Sequence, residues 1–103
     1  MVYEHIFNVN GHAEAVVIMS ENKSITKQEV EDAITSGNYS LNVDYAIDGE
    51  NGLPEDFQIA YSVKEINGDE EHYVYSENGI SFTLDDIIDI LESAFASTEY
   101  SED

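Results

Sequence analysis

With 103 residues, 42% of them hydrophobic and including seven Tyr and four Phe, the chain has material for one domain around one modest core. It has no Cys, which excludes disulfides, thiolate metal sites and cysteine nucleophiles, and no apolar run approaches the roughly 20 residues that span a bilayer. Its formal charge is −20, from 23 Asp and Glu against three Lys and no Arg, a surplus that repels nucleic acid and anionic membranes and attracts basic partners.

The chain opens with two β-branched or alternating runs, Val2 to Asn10 and His12 to Ser20, separated by Asn10-Gly11, the preferred dipeptide of a tight hairpin turn. Nothing in MVYEHIFNVN has the basic and then apolar layout of a secretion signal, so the expected location is the cytosol. Thr26-Lys27-Gln28-Glu29 is a capping box, and Ile25 and Val30 are placed as its hydrophobic staple. Val30, Ala33 and Ile34 follow helical spacing and Gly37 is placed to end the helix, which predicts a helix over 27–36.

Tyr39, Leu41, Val43, Tyr45 and Ile47 alternate with small or polar residues, and Phe57, Ile59, Tyr61 and Val63 do so again, which predicts a third and a fourth strand. Between them Asp48 to Asp56 is dense in turn formers and acids and reads as a long acidic loop. Asn67-Gly68 predicts another hairpin turn, with a fifth strand over 71–76. A second capping box, Thr83-Leu84-Asp85-Asp86 with Phe82 and Ile87 as staple, begins a helix whose apolar stripe is Leu84, Ile87, Ile88, Leu91, Ala94 and Phe95. That helix is expected to end near residue 97, leaving 98–103 as a flexible acidic tail to a single domain over 1–97. The predicted fold class is α+β, in the order ββαβββα, with both helices packed on one face of an antiparallel sheet so that each buries its stripe.

Catalytic chemistry has no motif to stand on. His5, His12 and His72 form no metal-ligand spacing and read as structural or surface residues; no nucleophile elbow, phosphate loop or dinucleotide fingerprint is present. Neither the acidic loop nor Asn67 to Glu71 has the spacing of a dedicated calcium loop. The expectation is a protein without enzymatic activity, cofactor or metal.

The acids themselves are the candidate site. The outward positions expected on the third and fourth strands (Ser40, Asn42, Ala46, Gln58, Ala60, Ser62 and Lys64) are mostly neutral, with Asp44 the exception. Charge gathers instead over 21–32, 48–56, 69–71 and 85–92. On the second helix Asp85, Asp89 and Glu92 fall at i, i+4 and i+7, a row of like charges that no Lys relieves. Such pairs each cost about 0.2–0.5 kcal/mol, and neighbours three or four apart lie roughly 5–6 Å from one another, the order of successive phosphates on a nucleic-acid strand. Candidate partner-binding residues are therefore Asp85, Asp89 and Glu92 on the helix, Asp48, Glu50, Glu55 and Asp56 in the loop, and Asp69, Glu70 and Glu71 at the turn.

Small size, extreme acidity, few basic residues and carboxylate rows on an α+β scaffold resemble the DNA-mimic inhibitors of bacteriophages and mobile elements, the anti-CRISPR and anti-restriction proteins. The resemblance covers the whole chain but is one of composition and charge placement. It implies a target with a Lys- and Arg-lined nucleic-acid channel, such as a CRISPR effector or restriction enzyme, met as a monomer in the host bacterial cytosol without direct binding of nucleic acid. Three other readings stay open. The chain fits an acidic immunity or adaptor module that binds a basic partner without mimicry, or an acidity that serves solubility alone. Halophilic adaptation also makes acidic, Lys-poor chains, but eleven Ile and eight Asn with no Arg and one Pro are the usage of an AT-rich genome.

Overall fold

The computed structural model describes residues 2–9, 12–45, 59–75 and 84–100. Within them the chain runs β1 (Val2–Val9), β2 (Ala15–Ser20), α1 (Lys27–Ser36), β3 (Ser40–Asn42), a 3-10 turn (Val43–Tyr45), β4 (Ile59–Asn67), β5 (Glu70–Tyr75), a second 3-10 turn (Leu84–Ile87) and α2 (Ile88–Tyr100). The expected ββαβββα order is the observed one. All strand pairs are antiparallel, in the spatial order β3-β2-β1-β4-β5, so two local hairpins meet along β1 and β4.

Period-two alternation sorts the side chains of this sheet to two faces. Phe7 and Val9 of β1, Val16 and Ile18 of β2, and Ile59, Tyr61 and Val63 of β4 form one core with Val30 and Ala33 of α1 and with Ile87, Leu91, Ala94 and Phe95. Both helices therefore cover the same face. On the opposite face Ile6, Ala15 and Val17 form a smaller cluster against Tyr45. The central strand β1 thus contributes apolar side chains to both faces, Phe7 and Val9 to one and Ile6 to the other. Of the residues expected in the core, Val30, Ile87, Leu91 and Phe95 are buried; Ile34 and Ile88 are half-buried, and the side chain of Leu84 lies outside the described residues.

Local chemistry accounts for the element ends. At α1 the Glu29 amide donates to Thr26 Oγ1 (3.1 Å) and the Thr26 amide to Glu29 Oε1 (3.0 Å), which completes the capping box. At its other end Gly37 has φ 81°, and the amides of Asn38 and Gly37 turn back to the carbonyls of Ala33 and Ile34. Thr83, the cap expected for the last helix, lies outside the described residues.

Four expectations are corrected in detail. β1 and β2 form the expected hairpin, with the His12 amide donating to the Val9 carbonyl (3.2 Å), but Phe7 pairs with Val16; Asn10-Gly11, the dipeptide expected for its turn, lies outside the described residues. A bare two-residue turn would pair Phe7 with Glu14; bends at Ala13 and Glu14 add two residues, and a shift of two leaves every side chain on its face. The turn between β4 and β5 is centred one residue later than expected, on Gly68-Asp69, because Asn67 pairs with Glu70. Gly68 has φ 66° and no other residue of the turn has positive φ, the pattern with Gly leading. The third strand is only three residues long; Asn42 Oδ1 accepts from the Asp44 amide (2.8 Å), an Asx turn that bends the chain into a 3-10 turn and leaves Val43 63% exposed. The last helix begins with a 3-10 turn and continues to Tyr100, three residues past its expected end. No helix among the described residues is long and apolar enough to cross a membrane.

Candidate functional site

Because the helices shield one face of the sheet, their own outer sides form a carboxylate-bearing surface. Glu31 and Asp32 of α1, Asp86 of the second 3-10 turn, and Asp89 and Glu92 of α2 are exposed or half-exposed there, and α1 and α2 touch. Each acid follows from helix geometry: the apolar residues of both helices are drawn to the sheet, and the residues between them are turned outward.

The row expected along the last helix is only partly formed. Asp89 and Glu92 stand three apart in α2 and are exposed, whereas the backbone of Asp85 belongs to the preceding 3-10 turn and its side chain lies outside the described residues. Glu92 is also not unrelieved. His12, just beyond the end of β1, places Nε2 2.7 Å from Glu92 Oε1 and stacks its ring on Phe95 at 3.8 Å with a 7° interplanar angle. Eighty positions separate the two residues, so spacing along the sequence carries no sign of the contact. Glu31, Asp32 and Asp89 have no ion-pair partner among the described residues.

The turn acids divide in the same way. Asp69 and Glu70 are exposed, whereas Glu71 Oε1 lies 2.6 Å from Lys64 Nζ. Lys64 is built into the face of the sheet away from the helices. Its ammonium donates to the Tyr45 hydroxyl (3.1 Å) and sits over the rings of Tyr45 (4.7 Å) and Tyr73 (5.6 Å). The Glu71 carboxylate first and the Tyr45 hydroxyl next hold its pKa well above the usual lysine value. Tyr45 in turn donates to Glu4 Oε1 (2.7 Å), and burial followed by that carboxylate raises the pKa of its phenol. One of the three lysines is therefore spent inside the molecule, and Lys23 and Lys27 are left exposed at the start of α1. Asp48, Glu50, Glu55 and Asp56 lie outside the described residues.

The remaining chemistry is structural. His5 is fully buried; its Nε2–H donates to the Asn22 carbonyl (2.9 Å), so Nδ1 accepts from the Tyr61 hydroxyl (2.6 Å). Burial pushes its pKa below the ordinary histidine value, which keeps the ring neutral. Among the described residues no group of three or more His, Asp and Glu side chains is placed to hold a metal ion. Comparison with models of known protein families, with curated protein sequences and with solved structures finds no match for this chain.

Proposed function

We propose that the chain is an acidic decoy that occupies the nucleic-acid-binding surface of a basic protein, acting as an anti-CRISPR or anti-restriction inhibitor. The observation that carries this reading is the helix layer: Glu31, Asp32 and Asp89 stand on its exposed side without an ion-pair partner among the described residues, on a chain of net charge −20. A surface selected for stability alone would interleave Lys at these positions to recover the repulsion between like charges. Carboxylates held on adjoining, core-anchored helices instead offer an Arg- and Lys-lined channel a fixed set of anionic groups, the feature by which such channels hold phosphates. Glu92 enters the surface half-committed to His12, and Glu71 is committed to Lys64, so the reading rests on the other acids.

The test is a band-shift titration in which a guide-loaded CRISPR effector and its target duplex are mixed with increasing amounts of the chain. The expected result is release of the duplex with competitive dependence on its concentration, and loss of the effect as salt rises, since exposed charges are screened within about 8 Å at physiological ionic strength. Binding of the duplex by the chain itself would overturn the proposal. Binding of a basic partner that leaves its nucleic acid in place would favour the immunity or adaptor reading, which the internal pairing of Glu71 and Glu92 also suits.

A further inference from the structure

The groove between the end of β2 and the C-terminal half of α1 shares only Asp32 with the decoy reading. β3 follows β2 only from Ala15 opposite Asn42 to Val17 opposite Ser40, whereas β1 accompanies β2 as far as Ser20. Residues 18–20 therefore have a strand on one side and, among the described residues, none on the other. The cause is the end of α1. Continued register would set Asn38 opposite Met19, but the Asn38 amide donates to the Ala33 carbonyl (2.8 Å) and closes the helix. One amide cannot serve the helix cap and the sheet ladder together.

Two adjoining cavities of about 250 and 350 Å³, sharing Met19 and Asn38, occupy the space so left. Ile18, Ile25 and Ala33 give the first an apolar floor, and Glu29 and Asp32 stand at its rim without an ion-pair partner among the described residues. Met19 is 58% exposed beside it, a flexible, polarisable side chain of the kind that adapts to varied contacts.

We propose that this groove receives an extended, basic segment of a partner protein, which adds as a strand to the free edge of β2, sets an apolar side chain beside Met19 and brings a Lys or Arg to Glu29 and Asp32. Strand addition supplies main-chain hydrogen bonds to an edge that has none, and alternate side chains supply the selectivity. Charge selects the occupant. A second copy of this chain would bring another −20 and its own rim carboxylates to the same edge, whereas a cationic strand neutralises them. The proposal goes beyond the decoy reading; the two share Asp32, but Glu29 and the β2 edge belong to the groove alone and Glu31 and Asp89 to the helix layer alone, so each is tested separately.

The probe is an acetylated, amidated heptapeptide of alternating Lys and Val, titrated into isotope-labelled protein and followed by amide NMR. The expected shifts centre on residues 18–20 and 32–38. Two analogues, N-methylated at the Lys or at the Val residues, separate strand addition from simple charge attraction. Only alternate residues of an added strand turn their N–H toward β2, so one analogue is expected to bind at least tenfold more weakly. Equal binding of both analogues and the parent overturns the proposal, as does absence of binding by the parent peptide. Glu29→Gln with Asp32→Asn keeps a residue competent for the capping box and is expected to cost at least tenfold in affinity, while Glu31→Gln with Asp89→Asn costs less than threefold. Equal or reversed losses overturn it.

Discussion

His5 shows how a single side chain ties stability to pH in this molecule. Its folded-state pKa is lowered, so below the unfolded value of about 6.5 the unfolded chain binds a proton that the folded one refuses, and stability contributed by the neutral ring is lost as pH falls. Because carboxylate protonation acts on the same curve, the clean measurement is the difference between the parent and His5→Leu in urea unfolding. At pH 7.5 the variant is expected to be less stable by about 1–3 kcal/mol, since the Tyr61 hydroxyl and the Asn22 carbonyl lose a buried partner. That gap should narrow as the pH is lowered through 6.5; a gap that stays constant would show that His5 is not held neutral by burial. Lys64 is the opposite case. Its raised pKa keeps it charged throughout the range in which the protein is handled, so its pairing with Glu71 adds no switch on the basic side until well into alkali.

At the scale of elements, the helices are anchored by a few side chains and by their ends. Leu91 is fully buried between α2 and the sheet, and Leu91→Ala is expected to cost about 2–5 kcal/mol, read from the midpoint of urea unfolding. Gly37→Ala is expected to cost about 1–2 kcal/mol although no atom lies within 4 Å of an added Cβ, because φ 81° is a left-handed backbone that a side chain strains. A loss confined to a few tenths of a kcal/mol would mean that the chain reaches the cap by another conformation. The pairing of the Gly37 and Asn38 amides with helix carbonyls also stops β3 short and opens the groove beside Met19, so helix capping and sheet pairing compete at one residue, Asn38.

At the scale of the molecule, the helix layer carries Glu31, Asp32 and Asp89, which have no ion-pair partner among the described residues, and the opposite face of the sheet carries the Lys64, Tyr45 and Glu4 network. Glu31→Gln with Asp89→Asn is therefore expected to leave thermal stability unchanged to within a few tenths of a kcal/mol, because like-charge repulsion is relieved and little else is touched. The same variant is expected to displace nucleic acid from the target channel several-fold less well. Undiminished displacement would remove this surface from the interface. Glu92→Gln is a poorer probe than the row on the last helix suggests, since it also removes the charge from the contact with His12, an exposed pair worth about 0.2–1 kcal/mol.

What was legible in the sequence is what physics decides within a few residues. The capping box at Thr26 and Glu29, the stop at Gly37, the alternation of β4 and the stripe of Ile87, Leu91, Ala94 and Phe95 each depend on neighbours three or four positions away or on period two. With them came the α+β class and the ββαβββα order. Where the local signals conflicted, the reading went astray: residues 43–45 alternate like a strand, but the Asn42 side chain offers the Asp44 amide a nearer partner than any sheet edge. The strand order β3-β2-β1-β4-β5, the burial of His5 against Tyr61, the hold of His12 on Glu92 and the enclosure of Lys64 were decided only by the tertiary structure. These contacts join residues 19 to 80 positions apart, and a chain carries no local mark of which distant surfaces its hydrophobic faces will bring together.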